Sequence, residues 1–301
     1  MFNRTLKKLS ASWQESYLAN MEQATKYYEQ FHDVECIENV PFESQDGTRL
    51  AMDLFRPNGI SFVPYPVVLM VHGGGLFMGD RRMEMGICRH FAQAGFLSAS
   101  IEYRVFPEVD IRGAVLDLAG GMEKIVSTVS DYGGDPNSIY LVAESAGVYA
   151  SIFAIAMTHS AKVREAMGGR DPGIHILAMA ALSGMFYTNR KDMVGMMMSG
   201  NIIPEDPDNK EFTKLMNTEL DEVADCLPPM FLVSSSGDFL RKYTLRYSEF
   251  LRERKKEYKL VYYDKGKHLT HAFPSLAPEV PESIEVDQMI ARWFLEHKNM
   301  K

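Results

Sequence analysis

A serine stands between small residues where a buried strand pattern gives way to a helix, in the stretch SIYLVAESAG at 138–147. The apolar run IYLV predicts a strand buried on both faces, and the residues after the serine (AGVYASIFAIAM) predict a helix. Ser145 would then occupy the strand-to-helix turn of a nucleophile elbow, which requires small residues two positions to either side. Gly147 meets this requirement, and Ala143 replaces the usual first glycine. Because such a pentapeptide also occurs by chance, its context must support it.

An earlier strand pattern, PVVLMV, ends in His72 and three glycines, Gly73, Gly74 and Gly75. A glycine loop after a strand can direct bare backbone N–H groups at the oxyanion of an acyl-transfer reaction. The same loop could cradle a phosphate, but the patterns GxGxxG and GxxxxGK[ST] are absent, which disfavours that alternative. We interpret His72 as a residue that holds the loop in place and not as the catalytic base. It precedes the serine in the chain, whereas on a fold with this order of strands the base comes last.

An acid and a base follow later strand patterns. Asp238 comes after MFLVSSSG, and His271 lies in HLTHAF after the final strand pattern. The order Ser145, Asp238, His271 matches the order that an elbow of this kind requires. Asp238 could instead cap the helix that follows it. His268 is a rival base and Asp264 a rival acid, and we rank both below the main pair.

Eight strand patterns alternating with helices can position these groups. The segment 34–57 predicts a β-hairpin around the turn QDG. The other strands are predicted at 66–71, 96–102, 139–142, 174–182, 230–235 and 259–263, and helices at 83–95, 111–129, 241–255 and 282–297. This alternation predicts an α/β fold with a mostly parallel sheet covered by helices on both faces. Residues 2–30 carry apolar side chains at helical spacing, and 184–227 is a methionine-rich insertion with no strand pattern.

Composition excludes several classes of partner. The chain of 301 residues has a net charge of −8 and a pI near 5.6, whereas nucleic acids and anionic membranes require a basic face. The weakly charged segment 173–189 is too short and too polar to span a membrane. We therefore expect neither a nucleic-acid partner nor a membrane span.

Cysteine usage and the N-terminus bear on compartment and metal content. Cys36, Cys88 and Cys226 are far apart and odd in number, and none has the spacing of a zinc site. We interpret them as reduced thiols and expect no metal or other cofactor. No apolar h-region or small-residue cleavage site follows the basic residues near the N-terminus. These features predict a cytoplasmic location.

Five segments, VHGGGLFMGD, IEYRVFPE, DYGGDPNSIYLVAESAG, SSGDFL and HAF, together resemble the hormone-sensitive-lipase-like branch of the α/β-hydrolases. In that family the segments usually read HGGG, YRLAPE, GGDP ahead of GDSAG, DxL and HxF, in this order. The resemblance covers about residues 45–295. Ala143, Glu144 and the pair Val105-Phe106 depart from the family pattern; the first bears on the elbow and the others on pocket shape.

The resemblance implies an α/β-hydrolase fold with an eight-stranded sheet and a helical cap. Residues 1–32 would form an N-terminal cap segment and 33–301 the catalytic domain, with a cap insertion at about 184–227 whose methionines could line an acyl pocket. By the family motifs, Ser145 would be the nucleophile, His271 the base and Asp238 its orienting acid. The implied oxyanion hole comprises the N–H groups of Gly74, Gly75 and Ala146, with Gly73 shaping the turn.

These observations predict a serine carboxylesterase that hydrolyses small acyl esters through an acyl-enzyme intermediate. An amidase or peptidase, or an acyltransferase, could use the same triad. A non-catalytic ligand receptor on this scaffold is a further alternative, although the retained serine and histidine disfavour it. The expected partner is a small-molecule ester, and the sequence leaves open whether the chain forms a homo-oligomer.

Overall fold

Eight strands form one sheet in the computed structural model, which describes residue 27 and residues 30–59, 61–198, 202–203 and 210–298. The strands are β1 (Val34–Glu43), β2 (Arg49–Pro57), β3 (Tyr65–Val71), β4 (Leu97–Ile101), β5 (Gly134–Glu144), β6 (Ile176–Leu182), β7 (Met230–Ser235) and β8 (Tyr258–Tyr263). Their order across the sheet is β1-β2-β4-β3-β5-β6-β7-β8. The predicted eight-stranded α/β-hydrolase sheet is confirmed.

Only the hairpin edge of the sheet is antiparallel. β1 pairs antiparallel with β2, and β2 pairs antiparallel with β4, whereas every later pairing is parallel. β4, β6 and β7 are buried along their whole length. Continuous apolar runs suit parallel strands that are covered on both faces, which is why these runs could be recognised in the sequence.

Helices follow the strands on both faces. The described α-helices are α1 (Met85–Gln93), α2 (Ile111–Thr128), α3 (Ser145–His159), α4 (Ala161–Met167), α5 (Met193–Met198), α6 (Lys210–Leu215), α7 (Asp221–Ala224), α8 (Arg241–Glu253), α9 (Phe273–Leu276) and α10 (Pro281–Glu296). Alternate residues of β3 enter different cores: Val67 and Leu69 face the helices α2, α3 and α8, whereas Val68 packs with α1 and α10. This alternation is the pleat of a strand buried on both sides.

Element ends differ slightly from the sequence-based expectations. The predicted helix 83–95 is a 3₁₀ turn at Arg81–Glu84 followed by α1. The strand before the serine begins at Gly134, whereas the sequence predicts its start at Ile139. α8 ends at Glu253, two residues before Lys255 adopts a left-handed conformation. The first and last residues of a helix depend on local hydrogen bonds, which the periodicity of the sequence does not show.

The segment between β6 and β7 contains α5, α6 and α7 and packs against the helix that follows β5. The hydroxyl of Tyr149 donates to the carbonyl oxygen of Met216 at 2.7 Å, and Thr218 Oγ1 donates to the carbonyl oxygen of Phe186 at 2.8 Å. The other expected cap segment, 1–32, lies almost entirely outside the described residues. Among the helices that are described, none combines the length and apolar composition needed to cross a membrane.

Candidate active site

Ser145 lies at the junction of β5 and α3 in a left-handed backbone conformation, with φ at +48°. The backbone of a non-glycine residue is strained in this conformation, at a cost on the order of 1–3 kcal/mol, and such strain is common at functional sites. A Cβ on Gly147 would lie 2.3 Å from the carbonyl oxygen of His72, so only glycine fits there. Ala143 is buried and paired in register with Val71 and Ala181. The sheet therefore accommodates the extra methyl group.

A continuous chain of hydrogen bonds joins the three predicted residues. His271 Nε2 lies 2.8 Å from Ser145 Oγ, and His271 Nδ1 lies 2.7 Å from Asp238 Oδ1. The residues come from the loops after three different strands, β5, β7 and β8, whose carboxyl ends meet at one edge of the sheet. This arrangement can transfer the hydroxyl proton to the imidazole and make the serine oxygen nucleophilic.

Asp238 is completely buried and has partners besides the imidazole. Ser234 Oγ donates to its Oδ2 at 2.7 Å, and the Leu240 N–H donates to its Oδ1 at 2.8 Å. Burial raises the pKa of this carboxyl, but the hydrogen bonds from His271, Ser234 and Leu240 outweigh it and hold the pKa below its ordinary value. The carboxylate is therefore ionised and can orient the ring.

The loop that carries His271 is anchored to two other strand ends. The N–H of Ala272, a residue with φ at +54°, donates to Ser183 Oγ just after β6 at 2.9 Å. Ser235 Oγ at the end of β7 donates to the carbonyl oxygen of Leu269. Neither serine was singled out from the sequence, because a serine at a strand end has no pattern of its own.

The rival residues lie elsewhere. His268 is exposed and its Nε2 lies 3.2 Å from Glu282 Oε1. Asp264 is exposed in the turn after β8. The alternative reading of Asp238 as a helix cap is partly met, since it accepts the Leu240 N–H, but α8 begins only at Arg241 with Leu240 at the N-cap. One carboxylate thus both shapes its turn and contacts the imidazole.

The glycine loop requires glycine at two positions. Gly74 and Gly75 have φ values of +95° and +65°, and a Cβ on Gly74 would lie 2.0 Å from the carbonyl oxygen of Met78. Both residues line the pocket that contains Ser145. Gly73 lies behind them, where a Cβ would come within 3.0 Å of Ser145 Cβ. Ala146, the remaining residue of the expected oxyanion hole, is buried at the first turn of α3.

His72 contacts the glycine loop from below. It is fully buried, its Nδ1 lies 2.9 Å from the carbonyl oxygen of Gly73, and its ring stacks on Tyr103 with centroids 4.1 Å apart. The Tyr103 hydroxyl donates to the carbonyl oxygens of His72 at 2.9 Å and Gly73 at 3.1 Å. These contacts agree with the interpretation of His72 as a brace. Tyr103 also holds the glycine loop in place, and the sequence did not single it out for this role. Its position in the segment IEYRVFPE could have pointed to it.

An apolar pocket of about 240 Å³ opens over the serine. Its walls are formed by the glycine loop, Phe77, Met78, Met83, Glu144, Met185, Met193, Val194, Met197, Met198, Phe239, Leu240 and Leu276 around Ser145 and His271. Four of the methionines expected to line it are present, whereas Met196 is 62% exposed and Met216 is buried away from the pocket wall. The ring of Phe239 covers the imidazole of His271, with centroids 4.2 Å apart.

Comparison with known proteins places the chain in a family. Residues 68–272 match the sequence model of a protein family whose description is "alpha/beta hydrolase fold". A probable isoprenylcysteine alpha-carbonyl methylesterase of Oryza sativa subsp. japonica is 35% identical over 128 residues, which is 42% of this chain and 30% of that protein. The isoprenylcysteine alpha-carbonyl methylesterase of Arabidopsis thaliana is 28% identical over 207 residues, which is 64% of this chain and 47% of that protein. The chain thus spans less than half of the length of these relatives.

Solved structures share the whole architecture. Esterase B from Lactobacillus rhamnosis superimposes with a TM-score of 0.86 at 21% identity, covering 99% of this chain and 96% of its own. A bacterial heroin esterase superimposes with a TM-score of 0.76 at 19% identity, covering 98% and 92%. Similarity at this level of identity establishes the fold. Together with the family match, it shows that the chain belongs to the α/β-hydrolases, in their hormone-sensitive-lipase-like branch.

Proposed function

We propose that this protein is a serine carboxylesterase that hydrolyses small acyl esters through an acyl-enzyme intermediate. The observation that carries the proposal is the hydrogen-bonded chain from Ser145 Oγ through His271 to Asp238, located at the floor of an apolar pocket beside Gly74 and Gly75. The relatives named as methylesterases and the structural neighbours named as esterases support ester cleavage over other reactions on this fold.

In the first step, Ser145 Oγ bonds to the ester carbonyl carbon while His271 Nε2 accepts the hydroxyl proton. The carbonyl oxygen becomes an oxyanion, which the N–H groups of Gly74, Gly75 and Ala146 stabilise in this proposal. When the intermediate collapses, the bond to the alcohol oxygen breaks and the imidazolium returns the proton to that oxygen. The products of this step are a free alcohol and an ester of Ser145.

In the second step, water attacks the acyl carbon and gives one proton to His271 Nε2. Collapse breaks the bond to Ser145 Oγ, which takes back the proton, and the carboxylic acid leaves. Asp238 Oδ1 accepts a hydrogen bond from the Nδ1–H of His271 throughout, which keeps Nε2 free to accept a proton and stabilises the imidazolium. The buried position of Asp238 strengthens this interaction, because few water molecules screen it.

The pocket supports a small, uncharged acyl group. Its apolar side chains are methionines, phenylalanines, leucines and Val194, and its polar side chains are Glu144, Ser145 and His271. Flexible thioethers can adapt to acyl groups of different shape. The helix α5, between β6 and β7, supplies Met193, Val194, Met197 and Met198, so we propose that this segment acts as a cap that sets acyl selectivity.

The direct test is to trap the acyl-enzyme. Incubation with a p-nitrophenyl ester and rapid acid quenching should leave one acyl group on the peptide containing Ser145, detected by mass spectrometry. Ser145→Ala should carry no acyl group and lose on the order of 10⁴- to 10⁶-fold in kcat, with its thermal transition nearly unchanged. A Ser145→Ala protein that still turns over the ester, or labels with a fluorophosphonate, would show that the nucleophile is elsewhere.

Matched ester and amide substrates separate esterase from amidase activity, and product analysis with added alcohol detects acyl transfer.

A further inference from the structure

Two glutamates, Glu84 and Glu144, are buried directly behind the serine. Glu144 is the residue before Ser145 and is 2% exposed, and Glu84 closes the 3₁₀ turn at Arg81–Glu84 and is 1% exposed. The two carboxyls interact with each other, and the hydroxyl of Ser275 on α9 lies beside both, although among the described residues its Oγ forms no hydrogen bond. Neither carboxyl has a part in the reaction steps described above.

The pair lacks the donors that two ionised carboxylates would need. Among the residues that the structure describes, Glu84 Oε1 and Glu144 Oε2 are buried without a hydrogen-bond partner. Two ionised carboxylates are both acceptors and repel each other, and burial makes this repulsion stronger. One proton removes the conflict, because a protonated carboxyl donates to an ionised one.

Glu144 also contacts the glycine loop, whose N–H groups would bind the oxyanion of the substrate. A Cβ built on Gly73 would lie 2.6 Å from Glu144 Oε1 and 3.0 Å from Ser145 Cβ, so the carboxyl, the glycine loop and the serine are packed together. A negative charge at this position opposes the negative charge that develops on the substrate oxygen. The ionisation of the pair therefore bears directly on the transition state.

Other titratable groups face the pair from each surrounding element. They are His72 after β3, Cys88 on α1, Tyr103 after β4 and Asp287 on α10. Two of these groups have partners of their own: Asp287 Oδ2 lies 2.6 Å from His90 Nδ1, and the ring of Tyr103 stacks on that of His72. His72 favours ionisation of Glu84 and Asp287 opposes it. The charged groups around Glu84 thus act in opposite directions, and the interaction between the two carboxyls is left to decide the charge of the pair.

We propose that Glu84 and Glu144 share a proton behind the glycine loop, and that this proton keeps the charge beside Ser145 low enough for the oxyanion to form. The inference rests on the proposed esterase function and makes Glu144 a positioning residue that acts through the loop. Burial raises the pKa of both carboxyls, so the pair keeps a proton at pH values where exposed glutamates have lost theirs. At higher pH the last proton leaves and turnover falls.

The test compares pH profiles of kcat/KM for wild type, Glu84→Gln and Glu144→Gln, with spontaneous hydrolysis subtracted. Wild type should lose about tenfold to a hundredfold on the alkaline side, the effect of one like charge a few ångströms away. Each glutamine variant should stay flat there, because its single remaining carboxyl has no like charge beside it and loses its proton below the pH range of the wild-type fall. Glu253→Gln, at an exposed position of α8, is the control and should follow wild type. An alkaline fall that persists in both glutamine variants, or a Glu144→Gln enzyme that folds and is inactive, overturns the proposal.

A second measurement does not depend on turnover. A shared proton gives the wild-type protein the infrared C=O band of a protonated carboxyl at about pH 8, above the range in which ordinary carboxyls are protonated. The band should disappear in Glu144→Gln, and its absence from wild type overturns the proposal even if the variants fail to fold. If Ser145→Ala keeps full activity while the band is present, the esterase mechanism is wrong and the shared proton stands.

Discussion

At the residue scale, His271 is the group through which every proton of the proposed reaction passes. Its position depends on contacts at both ring nitrogens, to Ser145 Oγ and Asp238 Oδ1, and on the exposed ring of Phe239 against its face. The competing imidazole, His268, is only three residues away in the chain but points to the surface beside Glu282. Proximity in sequence therefore says little about which ring can reach the serine.

We predict that His271→Ala lowers kcat by roughly 10⁴-fold or more, because the serine loses its base, and that His268→Ala costs less than about tenfold. Steady-state kinetics on one p-nitrophenyl ester, with circular dichroism to confirm folding, measure both. The two variants control for each other, since each removes one imidazole from the same loop. An inactive His268→Ala enzyme beside an active His271→Ala enzyme would reverse the assignment.

At the element scale, the approach of α3 to the end of β3 positions the nucleophile. The backbone of His72 passes so close to Gly147 that no side chain fits between them, whereas Ala143 on β5 has room for its methyl group. The two small residues of the elbow are thus unequal. The position two residues after the serine is limited by backbone contact, whereas the buried position two residues before it holds a methyl group.

We expect Gly147→Ala to lower the free energy of unfolding by about 1–3 kcal/mol or more, as overpacking against rigid backbone does, and to reduce kcat strongly by displacing Ser145. Ala143→Gly should cost only about 0.5–1 kcal/mol, the usual effect of glycine within a strand. Urea denaturation and ester kinetics on both variants give the comparison. Equal effects of the two substitutions would show that the contact with His72 is not what limits this turn.

The short helix α5 offers a matched pair of methionines for testing acyl selectivity. Met198 is 1% exposed and lines the pocket, whereas Met196, two residues earlier, is 62% exposed and lies off the pocket wall. Met198→Ala should enlarge the pocket and shift the preferred p-nitrophenyl ester to a longer acyl chain, and lower stability by about 2–5 kcal/mol. Met196→Ala should leave both unchanged. An unchanged chain-length preference in Met198→Ala would argue against a selective role for this helix.

At the scale of the whole molecule, ion pairs connect the hairpin edge of the sheet to the helices beside it. Arg104, in the segment after β4, binds the buried Asp117 on α2 at 2.7 Å and Asp46 in the hairpin turn at 2.5 Å. Partial burial raises the pKa of Asp46, but hydrogen bonds from Arg104 and Thr48 outweigh it and lower the pKa to about 2. Three separate parts of the chain are thereby joined through one guanidinium.

This arrangement predicts a pH dependence of stability on the acid side. Since the pKa of Asp46 is lower in the folded protein than its ordinary value of 3.8, its contribution to stability is complete above about pH 4 and is lost as the pH falls toward 2. Asp46→Asn should therefore lower Tm at neutral pH and flatten the dependence of Tm on pH in that range. Thermal scans across this range measure it, with the exposed Glu249→Gln as a control for the loss of one surface carboxyl. Parallel curves for wild type and Asp46→Asn would contradict the prediction.

The sequence by itself determined the class of fold and the order in which the candidate catalytic residues follow the strands. Strands buried on both faces are apolar along their whole length, and the residues that follow β5, β7 and β8 must meet because parallel strands carry their carboxyl ends to the same edge. The eight strands and the order Ser145, Asp238, His271 could be inferred for that reason. Element ends were less accurate, because single turns and left-handed residues decide them.

Only the tertiary structure decided how loops direct their side chains and which distant residues meet. The choice of His271 depends on the turn at Ala272 and its bond to Ser183, which are 89 positions apart in the chain. The contact of Glu84 with Glu144 has the same origin, since a 3₁₀ turn and a strand end come together across the sheet edge. Periodicity records which face of an element is buried, and it contains no term for the direction of a loop side chain or for pairs that only packing brings together.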